Sequence, residues 1–366
     1  MKACAIVPGH SEVAIIDRPE PQITRPDEVK LRVLRVGICG TDREEAAGGR
    51  ALAPEGRQQL VIGHEMLGEV VEVGKDVATV KPGDRAVFTV RRGCGQCGPC
   101  NVNRPDMCLT GRYKERGIWG LDGYQTERVV DTLQYLVRVP DQTGEAAVLT
   151  EPLSIAEKAI DEAARLQAAR LPGCASAQQW LAQSRCLVAG LGPVGLLAAM
   201  VLRLRGAHVV GLDVVPADSP RPKWLARTGG TYVNGRTETI EQVASAGPID
   251  LIVEAAGIAS LEFELLDALG LDGVYVITGI PGGERPLSVG GAALVRRLVL
   301  GNQVMFGSVN ASRDHFAMAV TDMERARATW GADLLAGLIT HRHSCSQIAD
   351  ALHQHPPDEI KTVIEW

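Results

Sequence analysis

Cys186-Leu187-Val188-Ala189-Gly190-Leu191-Gly192-Pro193-Val194-Gly195 decides the fold of this chain. Its first four residues read as a short buried strand. The glycines after them are spaced G-x-G-x-x-G at the mouth of an apolar helix, residues 196–205. In that context the first glycine makes the turn and the second lets the backbone approach a pyrophosphate. The third allows close helix–strand packing, and the helix N-terminus faces the anion. Residues 208–212 read as a second strand, closed by Asp213. A carboxylate at this spacing accepts hydrogen bonds from the adenosine ribose and repels a 2′-phosphate, so NAD is favoured. Val214-Val215-Pro216 follows with no arginine, while Arg221 and Lys223 further along keep NADP open.

Working outward, residues 249–254 and 273–278 supply two more strands of the same kind. Strands alternating with helices predict a parallel, doubly wound sheet. Residues 155–171 have helical spacing, ended by Pro172-Gly173. Residues 1 to about 155 read instead as short strands and turns. Residues 29–36 alternate apolar and polar, as in a half-buried strand, and residues 81–88 read as a turn entering a strand. The last stretch, from about 306, returns to mixed character. The expected organisation is a β-rich domain formed by 1–155 and 306–366, with a Rossmann domain, 156–305, inserted in it.

Two constellations point to metal. Gly63-His64-Glu65-Met66-Leu67-Gly68 is preceded by Cys39-Gly40-Thr41-Asp42, and Glu151 lies further on. Cys39, His64 and a carboxylate, with Glu65 and Glu151 both candidates, form the mixed ligand set of a catalytic zinc, a Lewis acid for a substrate oxygen. Asp42 can take the second N–H of a zinc-bound histidine. Cys94-x2-Cys97-x2-Cys100-x7-Cys108 offers four thiolates, which close a tetrahedral shell and predict a structural zinc. An iron–sulfur cluster also uses four cysteines; the x7 gap and the neighbouring catalytic motif argue for zinc. Two zinc ions per chain are expected. The other cysteines, Cys4, Cys174, Cys186 and Cys345, carry no spacing signal and read as buried small side chains.

Composition is that of a soluble globular protein, with 45% hydrophobic and 22% charged residues over 366 positions. A net charge of −6 gives no reason to expect nucleic acid or an anionic membrane as partner. The N-terminus lacks a signal-peptide core, no apolar run reaches spanning length, and the cytosol is the expected location.

Gly63-His64-Glu65-x2-Gly68-x5-Gly74-x2-Val77 resembles the zinc-containing signature of the medium-chain dehydrogenase/reductase superfamily. Within it, the glucose (aldose) 1-dehydrogenase branch is the nearest likeness. Val36-Gly37-Ile38-Cys39, Val90-Arg91-Arg92-Gly93-Cys94, Tyr113-Lys114-Glu115-Arg116-Gly117-Ile118, Glu151-Pro152-Leu153-Ser154 and Gly307-Ser308-Val309-Asn310 carry it. The resemblance implies an α/β fold, a GroES-like catalytic domain with an inserted Rossmann sheet, and a homotetramer or homodimer. It implies sugar contacts from Thr41, Glu115, Glu151 and Asn310. It also implies cofactor contacts at Thr278, Gly279, Ser308, Val309 and Asn310, beside the turn Gly190, Leu191, Gly192, Pro193, Val194, Gly195 and Asp213. Three positions depart from the branch. Val214 and Val215 stand where it commonly has paired arginines, Thr89 where some members have a sugar-binding asparagine, and Ile155 where some have an aspartate.

The expected reaction is oxidation of an aldose such as glucose at C1 to the lactone, with hydride passing to the nicotinamide and Thr41 accepting the substrate proton. The alternative is a polyol, threonine or simple alcohol dehydrogenase of the same fold. A non-catalytic zinc- and nucleotide-binding protein is the reading from another class.

Overall fold

The computed structural model describes residues 1–283 and 286–366. The chain divides into two compact units. One comprises Met1–Ser154, Asn310–Arg327 and Leu335–Trp366, the other Ile155–Val309 and Ala328–Leu334.

The second unit is built on a six-stranded parallel sheet. Its spatial order is Thr231–Asn234, His208–Asp213, Arg185–Ala189, Ile249–Glu254, Leu269–Ile277, Val304–Gly307. Chain order therefore reverses at Arg185–Ala189, whose two neighbours come next and fourth in sequence. In such sheets ligands bind beyond the carboxyl ends of the strands at this switch point. The central strands are apolar on both faces because helices cover both: Cys186, Leu187, Val188 and Ala189 are all buried, as are Leu251, Ile252 and Val253.

Gly190 ends the first strand with φ +86°, a left-handed conformation that any side chain would strain. The helix Pro193–Leu204 starts three residues before the sequence reading has it, since Pro193 is its first residue and its fixed φ suits that position. Gly195 lies so close to the strand that an added Cβ would stand 1.8 Å from the Gly190 carbonyl oxygen.

In the first unit a seven-stranded sheet is centred on Glu28–Ile38. This strand pairs antiparallel with Glu65–Val73, with Lys361–Glu365 and with Arg128–Thr132. Smaller three-stranded sheets flank it in sequence: Lys2–Ile6, Val13–Asp17 and Leu60–Val61 form one, and Arg91–Arg92, Lys114–Arg116 and Gly120–Leu121 another. The apolar core gathers Val29, Leu31, Val33, Val36, Met66, Val70, Phe88 and Tyr124.

The half-buried reading of 29–36 needs correction. Lys30 is buried although it occupies the polar register, and Arg35 is buried beyond a register shift between Val33 and Arg35 that breaks the alternation. Lys30 Nζ is 3.0 Å from Glu72 and 3.5 Å from Glu20, and Arg35 reaches Glu145 at 3.2 Å and Glu365 at 3.1 Å. Neighbouring strands bring carboxylates over both cations, which alternation along one strand cannot reveal. The cysteine reading also needs correction: Cys4 and Cys186 are buried, but Cys174 and Cys345 are partly exposed, because each sits in a turn or at a helix start.

The Gly195 packing makes a testable claim. Gly195→Ala should lower stability by about 1–3 kcal/mol through overpacking. A thermal melt of the variant at wild-type position would refute the close-approach account.

Candidate active site

Cys39 follows the central strand and caps the helix Gly40–Ala46. Its Sγ accepts from Thr41 N at 3.2 Å, while Asp42 Oδ2 accepts from Cys39 N at 2.8 Å. The Cys-Gly-Thr-Asp stretch is thus a reciprocal capping box in which sulfur replaces the usual hydroxyl oxygen. Asp42 acts twice. Its other oxygen, Oδ1, faces His64 Nδ1 at 3.5 Å. His64 Nε2 then lies 3.1 Å from Cys39 Sγ.

His64 and Glu65 enter the neighbouring strand, Glu65–Val73, where Glu65 pairs opposite Gly37. A Cβ on Gly37 would meet Glu65 Oε2 at 2.0 Å, so the glycine is what lets the carboxylate lie flat over the central strand. Both Glu65 oxygens accept from Lys361 Nζ, at 2.7 and 2.6 Å, and the same ammonium donates to Ile38 O at 3.0 Å. Lys361 and Glu65 are both buried.

Among the described residues two groups of side chains have ligand atoms converging within 4.8 Å: Cys39 with His64 and Glu65, and the four cysteines Cys94, Cys97, Cys100 and Cys108. Glu151 stands beside the first group rather than within it. The helix Thr150–Arg170 begins earlier than the sequence reading has it, which puts Glu151 in its first turn. Its carboxyl is pushed up to about 7, first by burial, with Glu65 and Asp42 adding and His64 and Lys361 opposing.

Charge balance fits a cation. Burial alone would lower the His64 pKa, but the charges of Cys39 and Asp42 and the hydrogen bonds to both hold it well above its usual value. Burial pushes the Cys39 thiol up, and Asp42 adds to the rise against His64. A metal ion in the ring would take the place of these protons, since it binds thiolate and neutral imidazole. The Asp42–His64 contact leaves Nε2 as the ligating nitrogen.

The cysteine loop also fits a metal. Cys97 and Cys100 sulfurs are 3.4 Å apart, Cys94 and Cys100 4.0 Å. A tetrahedron with Zn–S of about 2.3 Å has edges of about 3.8 Å. The Cys94 thiol is lowered to about 5, chiefly by the Thr110 hydroxyl, whereas burial pushes Cys100 up to about 12.

The residues expected to touch a sugar are only partly brought together. Asn310 Nδ2 donates to Glu115 Oε1 at 2.5 Å, and both are buried. Glu115 also accepts from Arg91 Nε at 3.2 Å and Nη2 at 2.9 Å, and Arg50 approaches it at 3.5 Å. Thr89 stands apart from this pair: its hydroxyl and carbonyl both accept from Arg92, at 3.3 and 2.8 Å. Thr41 is partly exposed in the first helical turn.

At the nucleotide turn, an added Cβ on Gly192 would meet nothing within 4 Å, which leaves the backbone open to a pyrophosphate. Thr278 Oγ1 donates to Glu254 O at 2.7 Å and Gly279 N to Glu254 Oε2 at 3.2 Å, so both serve the end of the fourth strand. Ser308 Oγ is buried with no hydrogen-bond partner among the described residues. Val309 is exposed and its carbonyl accepts from Lys158 Nζ at 2.9 Å.

Sequence reading missed Lys361, Arg91 and Arg50. Lys361 opens an apolar strand and carries no motif. Arg91 had a signal, its place in the Arg-Arg-Gly-Cys run, but nothing local pairs it with Glu115.

Fold and site together define an oxidoreductase acting on CH–OH groups, of the zinc-dependent medium-chain dehydrogenase class. Residues 25–141 match the alcohol dehydrogenase GroES-like domain, and residues 144–366 match the glucose dehydrogenase C-terminus. The chain belongs to the glucose dehydrogenase family. It is 41% identical to glucose 1-dehydrogenase 2 of Vulcanisaeta moutnovskia, over 100% of this chain and 99% of that one. It is 36% identical to glucose 1-dehydrogenase of Methanocella arvoryzae, with the same coverage. Haloferax mediterranei glucose dehydrogenase, solved in complex with NADP, Zn and gluconolactone, matches with a TM-score of 0.88. That match has 33% identity and covers 100% of this chain and 99% of that one. No helix among the described residues is long and apolar enough to cross a membrane.

Removing one partner of a buried pair strands the other charge. Lys361→Met should therefore destabilise by about 3–5 kcal/mol, and adding Glu65→Gln should restore much of it. Urea unfolding of the single and double variants measures this; additive losses would show that the pair is not coupled.

Proposed function

We propose that this protein oxidises an aldose such as D-glucose at C1, turning the C1 hydroxyl into the lactone carbonyl. The observation that carries the reading is the Cys39–Asp42–His64 ring in the same unit as a buried Glu115–Asn310 pair. The named relatives support the sugar. A buried carboxylate and amide already joined to each other suit paired hydroxyls, because a substrate lacking one would leave a buried polar group unpaired.

Cys39, His64 and Glu151 would hold the catalytic zinc. Glu65 converges more closely with Cys39 and His64, but both its oxygens are spent on Lys361, whereas the Glu151 carboxylate beside them makes no hydrogen bond or ion pair among the described residues. When bound, zinc supplies Lewis acidity that eases negative charge on the C1 oxygen. The Thr41 hydroxyl, two residues from Cys39, takes the C1 hydroxyl proton and releases it toward solvent. Asp42 keeps the His64 ring oriented through Nδ1. The nicotinamide dinucleotide supplies the hydride acceptor, and its pyrophosphate would lie on the amides after Gly190. NAD is favoured by Asp213 at the second strand end. Cys94, Cys97, Cys100 and Cys108 would hold a second, structural zinc.

The assembly we infer is at least a homodimer. The helix Gly291–Leu300 has no buried residue, and Val295, Val299 and Leu300 are 56%, 68% and 73% exposed. It precedes Val304–Gly307, the edge strand of the parallel sheet. An apolar helix beside an open strand edge calls for a partner, and a second copy offers the same surface.

Assay of glucose, galactose, xylose, sorbitol, threonine and ethanol with each dinucleotide tests the reaction. Aldoses should be turned over at least tenfold better than the others, and Cys39→Ser should abolish turnover with the fold intact. Preference for sorbitol or ethanol would overturn the sugar reading. For the metal, Glu151→Gln should weaken the more labile of two zinc ions by tenfold or more in chelator competition, and Glu65→Gln by less. The reverse order would make Glu65 the ligand.

A further inference from the structure

A carboxylate at the end of the second nucleotide strand ordinarily argues against a 2′-phosphate. The surroundings of Asp213 change that expectation. Its Oδ2 accepts from Leu191 N at 2.9 Å and its Oδ1 from Val214 N at 2.6 Å. Arg221 Nη1 stands 3.4 Å from Oδ2, and the Asp213 side chain is only 9% exposed. The carboxylate is turned inward to brace the glycine turn, and a guanidinium counters its charge.

A second guanidinium faces the same corner from the neighbouring strand. Arg236 lies just past Thr231–Asn234, and Asn234 fixes its backbone: Oδ1 accepts from Arg236 N at 2.9 Å. Arg236 Nε donates to Val214 O at 2.9 Å, the carbonyl directly after Asp213. That bond uses Nε alone. Nη1 and Nη2 have no hydrogen-bond or ion-pair partner among the described residues. Arg236 lines one pocket with Gly190, Asp213 and Val214. Glu238, Glu241, Glu264 and Asp267 line it too, so among the described lining residues Arg236 is the one cation a phosphate could meet.

We propose that Arg236 reads the 2′-phosphate of NADP, so that the protein takes both dinucleotides and Arg236 sets the ratio. An arginine fork anchored through Nε, with both terminal nitrogens free, presents the parallel N–H donors that bind a phosphate bidentately. Because Asp213 is already engaged and countered, its repulsion of the phosphate is reduced. The inference rests on the nicotinamide reading above.

The test is binding to the zinc-loaded, full-length protein. NADH and NADPH are titrated by nicotinamide fluorescence, and 2′,5′-ADP and 5′-AMP by calorimetry. Wild type should bind both 5′-AMP and 2′,5′-ADP, the second no more than about tenfold more weakly. Arg236→Ala should raise the NADPH-to-NADH ratio of dissociation constants at least tenfold, and Arg236→Lys, which keeps charge without the fork, by less. A ratio unchanged within twofold, or equal weakening of both dinucleotides, overturns the assignment. Wild type binding NADH but not NADPH overturns it alone, whereas binding neither dinucleotide sinks the nicotinamide reading with it.

Discussion

A single buried ammonium ties the catalytic unit together. Lys361 Nζ reaches the carbonyl of Ile38 and both oxygens of Glu65, so it spans three adjacent strands of the main sheet. An unpaired ion at this depth would be far too costly, and the contact therefore fixes where each strand ends relative to the others. Cys39 follows one of those strands, and His64 and Glu65 enter another. The relative placement of Cys39, His64 and Glu65 thus depends on a buried charge pair. Gly37 takes part by omission, since only a residue without Cβ leaves room for the Glu65 carboxylate.

Local chemistry then finishes what the sheet begins. The capping box at Cys39 is a feature of helix initiation, yet it also aims a sulfur and a carboxylate at one imidazole. The nucleotide turn works in the same manner: Gly190 bends the chain, Gly195 lets the helix close on the strand, and Asp213 holds the Leu191 amide. In both places residues that stabilise backbone ends also prepare a ligand site.

What could be read from the sequence follows from this division. The glycine turn, the cysteine loop and the Cys39–Asp42 stretch are legible because each depends on residues a few positions apart. The central strands of the parallel sheet are legible for a related reason, since they are buried on both faces and written in apolar residues, whereas the edge strands Thr231–Asn234 and Val304–Gly307 are mostly half-buried and carry no such run. Lys361 was not legible, for it meets Glu65 across 296 residues of chain. Nor was the burial of Lys30 and Arg35, whose partners arrive from other elements. Nor was Arg236, which lies past the third strand and is brought beside Val214 only by parallel pairing of the two strands. Glu65 and Glu151 are equivalent in the sequence, but in the fold Glu65 converges with Cys39 and His64 while held by Lys361, and Glu151 stands beside them.

The position of Lys361 also bears on how the protein is made. During synthesis Glu65 emerges long before its counter-ion, and the whole nucleotide unit is produced in between. Until residue 361 appears, the strands bearing Cys39 and His64 lack the charge that lets them close over a carboxylate. A Glu65 carboxylate without that counter-ion is held in contact with water rather than buried. Closure of these strands over Glu65 accordingly waits for Lys361, however early Cys39 and His64 are translated.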